Sequence, residues 1–160
     1  MAWNEDCQNE IDRLIGTQDV AEVLTQADLP VVVGEDAGAL LTGVVMQLDT
    51  QWHLAQVGFA GGALWVRDSG LQVGQNVRLR VLARDVSVTL HEATHTSIQN
   101  HLPCVVESIT PEAHPSQTLL RLRCGNTMLL ARVTARGAHA LGLHVGMHAW
   151  AQVKSVALVK

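Results

Sequence analysis

Apolar and polar residues alternate along two segments of the chain, as they do in a strand with one buried face. Valine and leucine alternate with arginine in residues 77–81, and leucine and cysteine alternate with arginine in residues 120–124. Turn-forming residues separate such segments at Gly61-Gly62, Asp68-Ser69-Gly70, Pro111 to Pro115 and Gly125-Asn126. Short strands between regular turns predict a mainly β protein built as a small barrel or sandwich.

Helical patterns occur at two places. Thr134 is a suitable N-cap for a short helix over Ala135 to Leu141, and Gly142 suits the left-handed conformation that ends a helix. Near the N-terminus, apolar residues between Asn9 and Thr25 recur at roughly helical spacing, with an interruption at Gly16-Thr17. We therefore expect a helical N-terminal extension and one helix among the later strands.

An internal repeat relates two parts of the chain that lie about seventy residues apart. Leu71-Gln72-Val73-Gly74 and Leu143-His144-Val145-Gly146 each precede an amphipathic strand, a basic residue, a small polar residue and an apolar tail. The basic residue is Arg84 in the first copy and Lys154 in the second. The predicted organisation is an extension and linker in residues 1–38, a first β unit in 39–90, a joint at His91–His95 and a second unit in 96–160.

Composition removes several classes of protein. Apolar residues make up 48% of the chain and charged residues 16%, which is globular composition. A net charge of −4 disfavours general nucleic-acid binding. No apolar run approaches the roughly 18 residues of a membrane span, and the acidic N-terminus does not resemble a signal peptide. Three widely spaced cysteines fit neither a disulfide framework nor a zinc site, so we expect a reduced, cytoplasmic protein.

The sharpest short motif is His91-Glu92-Ala93-Thr94-His95, which matches the H-E-x-x-H motif of zinc hydrolases. That motif requires a stable helix, because the two histidines bind zinc from one helix face. The flanking residues are typical of strands and supply no apolar helix face, so a polar linker is the better interpretation and a zinc hydrolase through His91, Glu92 and His95 is a remote alternative. The chain has no phosphate-binding loop and no nucleophile motif, so we expect neither a nucleotide cofactor nor an enzyme.

Two polar groups are candidates for binding an anion. Lys154 and Ser155 follow the last long strand, where an ammonium, a hydroxyl and backbone N–H groups can bind a small tetrahedral dianion. The segment Ser97 to Asn100 offers further donors at the opening of the same unit. Because the first and last strands of a closed barrel are neighbours, we expect these two groups to converge.

These residues resemble a known family. The resemblance is carried by Ser97-x-x-Asn100…Pro103…Val105-Val106-Glu107, Leu129 to Thr134, Leu141-Gly142-Leu143-x-Val145-Gly146 and Val153-Lys154-Ser155-Val156. Together they resemble the molbindin or Mop-type domain, an OB-like β-barrel unit that binds molybdate or tungstate. The wider chain is similar to the C-terminal accessory region of the molybdate ABC transporter ATP-binding subunit. Residues 16–30 resemble the end of its ATPase domain, and residues 39–90 resemble its first transport-associated OB-type (TOBE) repeat.

The resemblance implies a non-enzymatic molybdate- or tungstate-binding module, regulatory or for storage, without the ATPase core and either free-standing or cut from a longer protein. It assigns the oxyanion donors to two groups, namely Ser97, Gln99 and Asn100, and Lys154 and Ser155. Gln99 stands where some members have arginine. In the first unit Arg84 marks a weaker site, because the neighbouring Asp85 carboxylate would repel a dianion.

The resemblance also implies partners. Family sites often lie across a subunit interface, which implies a homodimer or a larger oligomer, with a transporter ATPase or permease as a further partner at the inner face of the membrane. The alternative function is a docking module that dimerises or attaches to a transporter ATPase without binding any anion.

Overall fold

The computed structural model describes residues 30–31 and 37–159. The predicted helices near the N-terminus lie outside the described residues. The strands are β1 Pro30–Val31, β2 Gly38–Asp49, β3 Leu54–Phe59, β4 Gly62–Arg67, β5 Asn76–Leu82, β6 Val86–Thr89, β7 Asn100–Pro111, β8 Gln117–Cys124, β9 Thr127–Thr134, β10 His148–Val153 and β11 Ala157–Val159. A 3₁₀ turn spans Ala83–Asp85, and helix α1 spans Ala135–Leu141.

The strands form two antiparallel sheets. The first sheet has the order β11-β5-β2-β3-β4, with β1 also paired to β2, and the second has the order β6-β10-β7-β8-β9. The prediction of a mainly β architecture with one helix in the second half is confirmed. Within the described residues, no helix is both long enough and apolar enough to cross a membrane.

The two sheets exchange their last strands. Strand β6 follows β5 in the chain, yet it pairs with β10 in the second sheet, where Val86 lies opposite Val153. Strand β11 follows β10, yet it pairs with β5 in the first sheet, where Ala157 lies opposite Arg80. Each half of the sequence therefore completes the sheet of the other half. The division into units 39–90 and 96–160 stays a prediction about the repeat, since the sheets do not follow it.

The sequence repeat has a counterpart in the backbone. Strand β2 is irregular between Val45 and Gln47, and β7 is irregular at the corresponding place between Val106 and Ser108. In both halves a glycine with a positive φ then donates to the strand, because Gly74 N bonds the Val45 carbonyl and Gly146 N bonds the Val106 carbonyl, each at 2.8 Å. The same local geometry is thus built twice.

The alternating segments bury the faces that their patterns predict. Residues 77, 79 and 81 of β5 and residues 120, 122 and 124 of β8 all point into one core shared by both sheets. Helix α1 also has its predicted boundaries. The Thr134 hydroxyl accepts a hydrogen bond from Gly137 N at 2.9 Å, and Gly142 ends the helix with a φ of 66°.

The β3–β4 and β8–β9 hairpins touch at their turns. A Cβ atom on Gly61 would collide with the carbonyl oxygen of Cys124, and one on Gly125 would lie 2.9 Å from the carbonyl oxygen of Ala60. These contacts are between backbones, which have little freedom to move aside. Glycine is required there because only its bare backbone allows the two hairpins to approach.

We expect Gly61→Ala to lower the free energy of unfolding by about 1–3 kcal/mol, because the added methyl pushes the two hairpins apart. Urea unfolding followed by tryptophan fluorescence measures the effect. Gly58→Ala is the matched control, since its methyl would meet only the Met46 side chain, which is 53% exposed and able to move. Equal losses in the two variants would show that the hairpin contact is not tight.

Candidate functional site

The two predicted anion-binding groups lie at the same end of the second sheet. Val153 is the last residue of β10 and lies opposite Asn100, the first residue of β7. Neighbouring strands are separated by about 5 Å. Lys154 and Ser155 therefore leave the sheet beside the point where Gln99 leads into it. The first strand of this unit, β7, is a neighbour of its last long strand, β10.

Donors in this region face solvent. The side chains of Ser97, Gln99, Lys154 and Ser155 are all exposed, and within the described part of the chain none of them makes a hydrogen bond or an ion pair. Their hydroxyl, amide and ammonium groups can therefore turn toward an added ligand. Charge-assisted hydrogen bonds of this kind are short and comparatively strong.

Asn100 is placed differently from the other four predicted residues. It is only 8% exposed, and both ends of its amide are bonded to the backbone of Trp65 in β4. Its Oδ1 accepts a hydrogen bond from Trp65 N at 2.7 Å, and its Nδ2 donates to the Trp65 carbonyl at 3.0 Å. Asn100 therefore joins the second sheet to the edge of the first, a contact that no sequence pattern indicated.

Arg84 belongs to the 3₁₀ turn Ala83–Asp85, which crosses next to Lys154. The backbone N–H of Lys154 donates to the Asp85 carbonyl at 2.8 Å, at the point where the two crossing segments meet. The strand exchange is the physical reason, since it carries both segments through the same place. One region thus contains two basic side chains and the Asp85 carboxylate. Within the described residues neither Arg84 nor Lys154 forms an ion pair.

The H-E-x-x-H segment does not form a helix. Residues 91–95 lie in the bent loop between β6 and β7, so His91 and His95 do not share a helix face. The Glu92 carboxylate is instead 3.9 Å from the imidazole of His101. No three His, Cys, Asp or Glu residues are grouped to hold a metal in the described ranges. The motif has the residues that a zinc hydrolase requires without the helix that would bring His91 and His95 onto one face, which speaks against that alternative.

An open cleft of about 630 Å³ borders the candidate site and is lined by Asp49, Trp52, Leu54, Trp65 and Gln99. A larger cleft of about 930 Å³ lies over Gly43 and Gly58 of the first sheet and contains none of the predicted site residues. Of the predicted site residues, Gln99 lines the smaller cleft, whereas Ser97, Lys154 and Ser155 do not. Trp52 and Trp65, which belong to the first half of the chain, were not among the predicted site residues.

The two described cysteines pack inside the protein core. Cys104 and Cys124 are free, buried, and located on the neighbouring strands β7 and β8. A hydrogen bond with the Cys104 thiol and burial both raise the pKa of the Cys124 thiol. Cys124 therefore stays protonated and packs as an apolar side chain.

Comparison with known proteins matches residues 96–159 to the TOBE domain family. The chain is 48% identical over 151 residues to the molybdenum import ATP-binding protein ModC of Methylococcus capsulatus, covering 94% of this chain and 42% of that protein. It is 47% identical over 140 residues to ModC of Thiobacillus denitrificans, covering 88% of this chain and 39% of that protein. The chain thus spans about two fifths of the length of these relatives.

A solved structure shares the fold beyond the TOBE domain. The crystal structure of the cytoplasmic molybdate-binding protein ModG with molybdate bound aligns with a TM-score of 0.61 and 25% identity, over 74% of this chain and 93% of that one. With the ModC relatives, this match confirms the resemblance to the accessory region of the molybdate transporter ATP-binding subunit.

We expect zinc to leave the melting temperature of the metal-free protein unchanged, because His91 and His95 do not share a helix face and residues 37–159 group no three potential ligands for a metal. Differential scanning fluorimetry after treatment with a chelator, with and without added zinc, makes the measurement. A rise in Tm that His91→Ala abolishes would contradict this expectation.

Proposed function

We propose that the chain binds molybdate or tungstate at the Lys154 end of the second sheet and acts as a non-catalytic regulatory or storage module associated with molybdate transport. The observation that carries the proposal is the register of β7 and β10, which sets Lys154 and Ser155 beside the segment that ends at Gln99. The name of ModG, a molybdate-binding protein of the same fold, supplies the chemical identity of the ligand.

The charges of the region suit a small dianion. Two unit charges 4 Å apart attract by about 1 kcal/mol in bulk water and about 4 kcal/mol at an effective dielectric constant of 20. Lys154 and Arg84 supply two cations on adjacent crossing segments, and Asp85 opposes them with one carboxylate. In this proposal Lys154 provides the main charge, and the hydroxyls of Ser97 and Ser155 with the Gln99 amide provide hydrogen bonds.

The partners follow from the ModC relatives. Their printed name, molybdenum import ATP-binding protein, supports an association with a transporter. We therefore propose that this module works with a transporter ATPase or permease in the cytoplasm, at the inner face of the membrane, and that bound oxyanion favours a resting state of that assembly. A second copy of the chain would complete the site in a homodimer or larger oligomer.

Isothermal titration calorimetry with molybdate tests the proposal, with sulfate as the control anion. We expect saturable binding that weakens about tenfold or more in Lys154→Ala, since a hydrogen bond to a charged group contributes about 1.5–3 kcal/mol. Arg136→Ala is the matched control, because it removes an exposed cation from helix α1, which packs against β8 and β9. It should bind as the unchanged protein does.

The absence of heat from a folded protein would contradict the binding function and favour the docking alternative. A thermal shift in saturating molybdate provides a second reading, since a ligand that binds only the native state must stabilise it, by about 2.7 kcal/mol at a hundredfold excess over Kd. An unchanged Tm together with absent heat would leave a docking module without an anion.

A further inference from the structure

Asn100 is a buried polar side chain next to the candidate site, and it hydrogen-bonds to the backbone of Trp65. Trp65 uses both its N–H and its carbonyl to bond the Asn100 amide, at 2.7 and 3.0 Å. Strand β4 is an edge strand of the first sheet. The Asn100 amide therefore occupies the place that a further strand would take. It provides hydrogen-bond partners for the N–H and the carbonyl of Trp65 at this edge.

The Asn100–Trp65 contact lies directly after the predicted donor segment in the chain, so it affects where that segment is held. Asn100 is the first residue of β7, and the exposed donors Ser97 and Gln99 precede it outside any strand. A second side chain, His101, bonds the Ile98 carbonyl through its imidazole at 2.5 Å. The side chains of Asn100 and His101 thus hold the donor segment on its C-terminal side. Asn100 makes two hydrogen bonds, and both run to the other sheet.

We infer that Asn100 is a positioning residue: by clamping β7 to the Trp65 backbone, it holds Ser97 and Gln99 in place to meet an oxyanion at Lys154. This inference rests on the proposed function and refines it, because the edge of the first sheet then contributes to the affinity for the oxyanion. A preordered donor segment avoids the entropy cost of ordering when the ligand binds.

The decisive comparison is Trp65→Pro against Trp65→Ala. Both variants lose the indole ring, but only proline also removes the N–H that Asn100 accepts. Proline is tolerated on an edge strand where the N–H points away from the neighbouring strand, as this one does. We expect the molybdate Kd of Trp65→Pro to be about tenfold weaker than that of Trp65→Ala, the effect of losing about one hydrogen bond.

Equal molybdate affinities in two folded variants would overturn the inference. Hydrogen exchange of the anion-free protein, followed by mass spectrometry of peptides covering residues 96–100, gives a reading that does not depend on ligand. We expect faster exchange in Trp65→Pro than in Trp65→Ala, and equal rates would also overturn the inference. If the unchanged protein shows no molybdate binding but the exchange rates differ, the proposed function fails while the clamp stands.

If Trp65→Pro does not fold, Asn100→Ala replaces it in the exchange experiment. A clamp predicts faster exchange in both residues 96–100 and β4 of the anion-free protein. If Asn100 served only as a direct ligand, its removal would leave exchange without anion unchanged, and that result would overturn the inference.

Discussion

The exchange of β6 and β11 between the two sheets is the constraint on which the rest of the structure depends. Antiparallel strands satisfy their backbone groups only through a neighbour, and here the neighbour of each exchanged strand belongs to the other half of the chain. Neither half can complete its sheet alone. The single core shared by both sheets follows from this arrangement, and so does the meeting of the crossing segments at Lys154 and Asp85.

Two further contacts fix how the sheets sit against each other. At the hairpin turns, Gly61 and Gly125 allow backbone to meet backbone, a contact that depends on the absence of side chains. Between β4 and β7, the Asn100 amide supplies hydrogen bonds that depend on a side chain of particular shape. The crossing strands, the glycine contact and the amide clamp are chemically different, and each opposes a shift of one sheet relative to the other.

Local patterns predicted what local physics determines. The alternation in residues 77–81 and 120–124 fixed which side chains are buried, and Thr134 and Gly142 fixed the ends of helix α1. The same alternation says nothing about which strand lies alongside, so the partners of β6 and β11 were missed. The Asn100–Trp65 contact spans 35 positions and leaves no periodic signal. The H-E-x-x-H segment shows the converse: its residues match the zinc motif, but its backbone forms a bent loop instead of a helix.

The candidate site lies where the two sheets are joined. Lys154 and Ser155 connect a strand of the second sheet to a strand of the first, and the opposing donors enter β7 at a residue clamped to β4. An oxyanion held between these segments would make contacts that exist only while both sheets keep their relative position. Binding would then stabilise the junction as a whole instead of one loop, because a ligand favours the state that presents all of its donors together. Under the proposed function, occupancy would change the rigidity of this junction, and a partner that contacts both halves would respond to that change.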